Sequence, residues 1–317
     1  MIEQLKDKKI GVMMGGLSAE REVSMNSGRA VEAALREAGY DVRPIVFAGP
    51  DIIEEIKKSG PDVIFLALHG RYGEDGTIQG LLEILGIPYT GPGVLCSAIA
   101  MDKAVTKELL MQNGIPTADF VRLTPDIFDA SKLVNTLGWP VVVKPASLGS
   151  TIGMSFVYEE KDLLPAVELA FRHDDTVLLE RFIKGREVTV GIVGGTALPV
   201  VEIIPQGGVY DYEAKYQSTT TRYVCPAELT ERTTKVIQDL AVDVFEALRG
   251  EGASRVDFRL DEDGKPWVLE MNTIPGMTGT SLLPKAAKAA GMGFAALIET
   301  VLLEALKRHE AKAKIQG

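Results

Sequence analysis

The sequence predicts a mixed α/β and α+β protein, with a doubly wound parallel-sheet domain first and two α+β domains after it. Three observations lead to this fold class. The first third alternates apolar strands with helices, which is typical of parallel sheets. That alternation stops near residues 91–93, and strands dominate from Arg186 onward. Because 317 residues are too many for one ordinary core, we expect domains at 1–97, 98–185 and 186–317.

The first domain is read from its apolar runs. Strands are predicted at 9–14, 42–47 and 62–68, with helices at 20–39 and 51–59. The first strand leads into Gly15-Gly16 and the third into His69-Gly70. Open α/β sheets bind ligands beyond the carboxyl ends of their strands, so both turns are candidate ligand positions.

The other two domains are read in the same way. The central domain is expected to contain a helix at 98–113 that carries Lys103, a helix at 160–172, and strands at 140–145, 154–158 and 176–180. A glycine- and serine-rich loop occupies 147–153. The last domain is expected to contain strands at 187–193, 198–204, 254–260 and 266–271. A final helix at 294–308 has one apolar face and should pack on a core.

Composition and charge narrow the class of protein. The net charge of −10 argues against a nucleic-acid surface, which requires a basic patch. The two cysteines, Cys96 and Cys225, have no spacing suited to zinc or to a disulfide framework. The N-terminus lacks the apolar stretch of a signal peptide, and no apolar run approaches membrane-spanning length. We therefore expect a cytoplasmic protein with no membrane or nucleic-acid partner.

Two neighbouring strands near the C-terminus carry a candidate metal site. In 255–260 the apolar residues alternate with Arg255, Asp257 and Arg259, and the second strand carries Glu270 and Asn272. If 261–264 form the turn, Arg255 lies opposite Glu270, and Asp257 lies diagonal to Glu270. Carboxylate and amide oxygens are the ligands that Mg²⁺ prefers. The alternative is a solvated polar face with an Arg–Glu pair, but the apolar, glycine-rich loop after Asn272 favours a site.

Six motifs follow one another along the chain: GGLSAEREVS (15–24), HGRYGEDG (69–76), KPASLGS (144–150), YDYEAKY (210–216), DFR (257–259) and LEMNTIPGMT (269–278). Together they resemble the ATP-grasp superfamily and, within it, the bacterial D-alanine–D-alanine ligase family. One such motif would be weak support, whereas six in order over essentially the whole chain are highly specific. The resemblance implies an ATP-grasp fold, in which the two α+β domains clasp ATP.

The resemblance implies a nucleotide site. Lys103 and Lys144 match lysines that contact the ATP phosphates, a role that suits their mobile point charges. The 147–153 loop would close over the phosphates through its backbone N–H groups. The remaining matches are Glu180, Arg181 and Ile183 at the adenine edge, Glu187 at the ribose hydroxyls, and Lys215 on a loop (205–220) that closes over the γ-phosphate. Arg181 stands where lysine is frequent in the family. Alone, a lysine at a strand end or a Gly/Ser loop would more often be structural.

The resemblance also implies a substrate site. Glu20 matches the glutamate that holds the ammonium of the first D-alanine, in a hydrogen-bonded triad with Ser150 and Tyr216. Arg255 and the Gly276 N–H match groups at the oxyanion. The second substrate's carboxylate site is matched by Ser281 and Leu282, and His69 matches a histidine near the substrate. Glu20 could instead be a favourable carboxylate in a first helical turn, and a lone histidine is more often structural.

The reaction implied is ligation of two D-alanines to D-alanyl-D-alanine for peptidoglycan precursors, through an acyl phosphate. It implies ATP and two Mg²⁺, with Mn²⁺ as a substitute, and a homodimer.

Three alternative functions remain. A D-alanine–D-lactate ligase has the same fold, although Tyr216 favours the dipeptide. A non-catalytic nucleotide-binding protein should have lost a metal ligand or a phosphate lysine. A dinucleotide-binding dehydrogenase would rest on Gly15-Gly16, which lacks the full G-x-G-x-x-G spacing.

Overall fold

The computed structural model describes residues 2–126, 137–149, 151–205 and 221–316. Of the predicted site residues, Ser150, Lys215 and Tyr216 lie outside these ranges, as does most of the 205–220 loop. Within them, no single helix has the length and apolar character needed to cross a membrane. One bent pair, Leu282–Ala289 with Phe294–Lys314, meets that test by length and composition only.

The N-terminal sheet is parallel, as predicted. Strand β1 (Lys9–Gly15) lies between β2 (Asp41–Phe47) and β3 (Val63–Leu66). Helices α1 (Arg21–Glu37), α2 (Ile52–Ser59) and α3 (Thr77–Ile84) follow these strands in turn. Residues 10–14 of β1 and the whole of β3 are buried, which is typical of parallel strands covered on both faces.

The single helix predicted at 98–113 is wrong, because the chain forms two helices there. Helix α4 (Val94–Met101) ends at Asp102, and α5 (Lys103–Gln112) begins directly after it. Asp102 has an extended backbone, and its Oδ1 accepts the N–H groups of Ala104 and Val105 at 2.9 and 3.1 Å, as an N-cap residue does. Lys103 is therefore the first residue of a helix, and its N–H donates to the Ala146 carbonyl.

The central sheet is antiparallel, with strand order β4-β7-β5-β6. Its strands are β4 (Phe120–Leu123), β5 (Val141–Pro145), β6 (Ser155–Val157) and β7 (Val177–Arg181). Helix α6 (Leu163–Phe171) packs on the face that carries Val141, Val143 and Leu179. Since side chains alternate along a strand, Lys144 and Glu180 point to the opposite face. That face forms one wall of the cleft described below.

The C-terminal sheet has the order β11-β10-β8-β12-β13, with the short β9 also paired to β8. Its strands are β8 (Gly185–Val193), β9 (Thr196–Ala197), β10 (Val201–Ile204), β11 (Arg222–Val224), β12 (Ala253–Asp261) and β13 (Pro266–Asn272). The described residues of this part also form three helices: α7 (Glu231–Ala247), α8 (Leu282–Ala289) and α9 (Phe294–Gln316). Helix α9 is longer than predicted. The predicted apolar face of α9 is buried at Leu297, Ile298, Val301, Leu302 and Ala305.

The predicted register of β12 and β13 is wrong. Asp257 lies directly opposite Glu270, and Arg255 opposite Asn272. The cause is a bulge: the register shifts after Asp257, so that Leu269 is the extra residue between the Phe258–Val268 and Asp257–Glu270 pairs. The bulge puts Val268 and Met271 into the same core and turns Leu269 toward the cleft. Alternation on β12 is confirmed, since Val256, Phe258 and Leu260 are buried in that core.

Candidate functional site

A solvent-open cleft of about 1020 Å³ lies between the central and C-terminal sheets. Eight of the predicted site residues line it: Lys103, Lys144, Glu180, Arg181, Ile183, Glu187, Asp257 and Glu270. Apolar side chains, among them Val142, Phe156 and Leu269, line the rest. The cleft thus combines apolar walls for a flat ring with cations and carboxylates for a charged group.

One end of the cleft contains a buried carboxylate between two lysines. The Glu180 side chain is 4% exposed; its Oε1 lies 2.5 Å from Lys107 Nζ, and its Oε2 pairs with Lys144 Nζ. Burial alone raises the pKa of the Glu180 carboxyl, but the two lysines outweigh burial and hold that pKa at about 2. Glu180 is therefore fully ionised at neutral pH.

The same end has a rim built on β7, β8, β12 and β13. Arg259 Nε donates to the Ile183 carbonyl at 3.1 Å, and Arg259 Nη1 lies 3.3 Å from Glu187 Oε2. Arg259 thus positions two residues predicted to contact a nucleotide. Arg181 pairs with Asp119 at 3.2 Å, and its guanidinium lies 4.9 Å from the centroid of the Trp267 ring.

Of the predicted metal ligands, Asp257 and Glu270 line the cleft, and Asn272 contacts Asp257. Asp257 accepts Arg255 Nε and Nη2 at 2.9 Å each, Asn272 Nδ2 at 2.9 Å, and Thr189 Oγ1 at 2.5 Å. Glu270 Oε2 lies 3.3 Å from Lys103 Nζ, which also donates to the Leu148 carbonyl at 2.8 Å. Lys103 thus connects the glycine-rich loop to β13. Each of these carboxylates is thus paired with one cationic side chain.

This donor set fits a hard divalent cation. Asp257 and Glu270 are paired across adjacent strands, and the amide of Asn272 reaches Asp257. Among the described residues, no group of three or more His, Cys, Asp or Glu side chains could hold a metal ion. An ion here would therefore depend on two carboxylates, an amide oxygen and oxygens from outside the protein, as Mg²⁺ commonly does.

The N-terminal domain supplies a second group of carboxylates. Glu20 is the N-cap residue of α1, and its Oε2 would lie 3.4 Å from a Cβ built at Gly149. Glu74 Oε2 accepts the Gly70 N–H at 2.6 Å and also bonds the backbone of Ile274. Burial, and then the neighbouring charges of Glu20 and Glu270, raise the pKa of Glu74 to about 8.

His69 belongs to this group. The side chain is buried and is hydrogen bonded to the backbone of Ile274, and no atom of the described residues pairs with its Nε2. Burial lowers the pKa of His69 and Arg255 lowers it further, although Glu20 opposes them.

The loop after β13 contains the last predicted residues. Ser281 is the N-cap of α8; its Oγ accepts the Thr278 N–H at 3.1 Å, and the side chain of Leu282 is buried in the core. Gly276 lies against Ser281, and a Cβ there would be 3.0 Å from its Oγ. The Met277 N–H donates to Ser27 of α1 at 3.1 Å, so this loop is fixed to the helix that Glu20 begins.

Sequence reasoning missed three residues of the site: Glu74, Lys107 and Arg259. Glu74 lies in the HGRYGEDG motif, and Arg259 alternates with Asp257 on β12, so both had a signal. Lys107 had none, because only the fold brings it to Glu180, which is 73 positions away.

Two antiparallel sheets that enclose a cleft, with lysines on one wall and paired carboxylates on the other, form the ATP-grasp fold. The family model described as D-ala D-ala ligase C-terminus matches residues 109–303, and the one described as D-ala D-ala ligase N-terminus matches 47–92. The chain belongs to the D-alanine–D-alanine ligase family.

Relatives and solved structures agree. The chain is 52% identical over 307 residues to the D-alanine–D-alanine ligase of Syntrophotalea carbinolica, covering 96% of this chain and 99% of the relative. It is 47% identical to that of Geobacter sulfurreducens, covering 99% and 98%. The crystal structure of D-alanine–D-alanine ligase from Bacillus anthracis complexed with ATP has a TM-score of 0.86 at 37% identity, covering 96% of this chain and 99% of that one.

Proposed function

We propose that this chain ligates two D-alanines to D-alanyl-D-alanine at the expense of ATP, for peptidoglycan precursors. The observation that carries the proposal is the cleft itself, where Lys103 at the start of α5 and Lys144 on β5 line the same cleft as Asp257 and Glu270 of the C-terminal sheet. The six motifs and the family membership support the same reaction. Tyr216 lies outside the described residues, and its preference for the dipeptide over D-lactate stays a prediction.

The nucleotide is proposed to lie in the cleft with its base at the β7 end. Ile183, next to Arg181, would meet the adenine edge, and Glu187, held by Arg259, would bind the ribose. Lys103 and Lys144 would neutralise the phosphates, and Lys215 of the 205–220 loop would close over the γ-phosphate. Lys103 pairs with Glu270 and Lys144 with Glu180, and these pairs hold both ammonium groups at the cleft.

Asp257, Glu270 and Asn272 are proposed to hold Mg²⁺, which supplies positive charge to the phosphate oxygens when bound. The chain's own residues position the amino acids. Glu20, with Ser150 and Tyr216, would hold the first ammonium, near His69. Burial, and then the nearby carboxylates of Glu20 and Glu270, raise the pKa of Glu74, and an ammonium ligand would bring positive charge to this group of carboxyls. Ser281 and the N–H of Leu282 would bind the second substrate's carboxylate at the start of α8.

The reaction follows from these positions. A carboxylate oxygen of the first D-alanine attacks the γ-phosphorus, ADP leaves, and an acyl phosphate forms. The amine of the second D-alanine attacks the acyl carbon and loses a proton, and inorganic phosphate leaves as the peptide bond forms. Arg255 and the Gly276 N–H would stabilise the oxyanion of the tetrahedral intermediate. The protein contributes mainly position and charge, as is usual in phosphoryl transfer.

We also propose a cytoplasmic homodimer with the domain limits given above. Sedimentation equilibrium of the purified chain measures the oligomeric state, and a monomer at micromolar concentration would contradict the dimer.

One assay tests the proposed activity. ADP formation is followed with D-alanine, L-alanine, and D-alanine plus D-lactate in parallel. We expect ADP and D-alanyl-D-alanine with D-alanine alone and none with L-alanine. ADP formation only after D-lactate is added would favour the depsipeptide ligase, and ATP binding without turnover would favour a non-catalytic protein.

A further inference from the structure

Lys107 is a fully buried lysine on α5, with 0% of its side chain exposed. Three partners surround its ammonium. Nζ donates to Glu180 Oε1 at 2.5 Å and to Thr117 Oγ1 at 2.6 Å, and it lies 5.2 Å from the centroid of the Phe120 ring. Lys107 does not line the cleft, so it has no direct contact with a ligand there.

Glu180 is shared by two lysines that differ in position. Lys107 bonds one carboxylate oxygen from inside the protein, and Lys144 bonds the other from the cleft. The Lys144 side chain is 12% exposed and lines the cleft. Lys144 can therefore turn toward a ligand, whereas Lys107 stays with Glu180 throughout.

Charge counting shows what this arrangement does. If Lys144 were the sole partner of Glu180, moving it to a phosphate would leave a buried carboxylate uncompensated, which is strongly unfavourable. With Lys107 in place, Glu180 keeps one cation after Lys144 has moved. The buried charge of Lys107 thus lowers the cost of transferring Lys144 to an anionic ligand.

We propose that Lys107 is a positioning residue for the nucleotide's phosphates, acting through Glu180 to make Lys144 available. The inference rests on the proposed function only in that ATP is taken as the ligand of the cleft. It predicts a change in the ratio of ATP affinity to adenosine affinity, because the two ligands share the base and ribose contacts at Glu180, Arg181, Ile183 and Glu187, whereas only ATP has phosphates.

The test compares ATP with adenosine, which lacks the phosphates, by titration calorimetry of the full chain with Mg²⁺. In Lys107→Met, we expect ATP affinity to fall about 10-fold or more, the usual effect of one charge-assisted hydrogen bond, while adenosine affinity changes less than about 2-fold. Thr117→Val is the matched control. It removes a partner of Lys107 but keeps the charge, and it should leave the ATP-to-adenosine affinity ratio unchanged.

A second variant covers the case in which Lys107→Met folds poorly. In Lys107→Met/Glu180→Gln the buried carboxylate is gone, so Lys144 is free and the ATP-to-adenosine ratio should return toward the wild-type value. Equal losses for both ligands in the single variant, or no return in the double variant, would overturn the proposal. If the variants shift the ATP-to-adenosine ratio as expected but the wild-type chain makes no ADP with D-alanine, only the ligase function is refuted.

Discussion

Glu180 and Glu74 are both glutamates held within the site, yet their carboxyl groups respond to the fold in opposite ways. Two lysines hold the pKa of Glu180 at about 2, whereas burial beside Glu20 and Glu270 raises that of Glu74 to about 8. At the nucleotide end, the carboxylate has its cations already. At the amino-acid end, Glu74 is buried close to two other carboxylates, Glu20 and Glu270. The first arrangement is stable without a ligand, and the second favours one that brings an ammonium group.

Glu270 lies between these two ends, so its substitution should have the largest effect. In Glu270→Gln we expect ADP formation to fall by roughly 1000-fold, because charge that stabilises phosphoryl transfer is lost. The rate of ADP release at saturating ATP and D-alanine measures it. Glu54→Gln, which removes an exposed carboxylate paired with Lys57, should leave the rate unchanged. Wild-type activity that survives metal removal by EDTA would contradict the role given to this centre.

Glu180→Gln should destabilise the protein, because it removes the carboxylate that the two lysines share. It leaves the buried Lys107 without its counter-charge, and we expect the free energy of unfolding in urea at pH 7 to fall by about 3 kcal/mol. Since the folded pKa of Glu180 is below its ordinary value, its stabilising contribution is complete above about pH 4.5 and is lost as the pH falls toward 2. The difference from wild type should therefore shrink below pH 4.5. An unchanged difference at pH 3 would argue against the linkage.

Glu74→Gln should change the stability in the opposite direction from Glu180→Gln. The folded pKa of Glu74 is raised, so its favourable contribution is complete below about pH 4.5 and is lost as the pH rises to about 8. The variant keeps an acceptor for the Gly70 N–H and removes the charge. We expect it to be more stable than ligand-free wild type by roughly 1–2 kcal/mol at pH 8.5, and by less at pH 5.5. Equal gains at both pH values would show that Glu74 does not titrate in this range.

Arg181→Lys should give the smallest effect. Lysine keeps the charge near Asp119 and Trp267 but loses the planar contact with the indole ring. We expect KM for ATP to rise by roughly 3-fold, with kcat unchanged. A larger change confined to kcat would place Arg181 nearer the chemistry than the rim position indicates.

Local sequence patterns predicted much of the site. Period-two alternation placed Asp257 on the face opposite Val256 and Phe258, and the parallel N-terminal sheet followed from its apolar strands. Two local predictions failed. The helix at 98–113 was drawn through Asp102, although an aspartate there is an ordinary N-cap signal. The bulge at Leu269 places Asp257 directly opposite Glu270 instead of diagonal to it, and an alternating pattern alone cannot reveal an inserted residue.

Long-range charge balance was beyond such patterns. Lys107 belongs to a helix and Glu180 to a strand, and only packing brings them to 2.5 Å. The raised pKa of Glu74 likewise depends on burial and on Glu20 and Glu270, which come from distant parts of the chain. Sequence motifs identified the residues near the ligand, whereas the residues that set their charge became visible only in the fold.

The sharing of one carboxylate by two lysines also has an evolutionary consequence. Positions 107 and 180 should vary together, because losing Glu180 leaves Lys107 buried without a counter-charge, and losing Lys107 leaves Lys144 as the only lysine paired with Glu180. The residue at position 144 should instead vary with the ligand that the cleft binds, since Lys144 lines the cleft and Lys107 does not. In a set of related chains, replacement of the lysine at 107 should therefore coincide with a neutral residue at 180. Mutagenesis of position 107 or 180 alone should therefore give few folded variants, whereas randomising both positions together should give more.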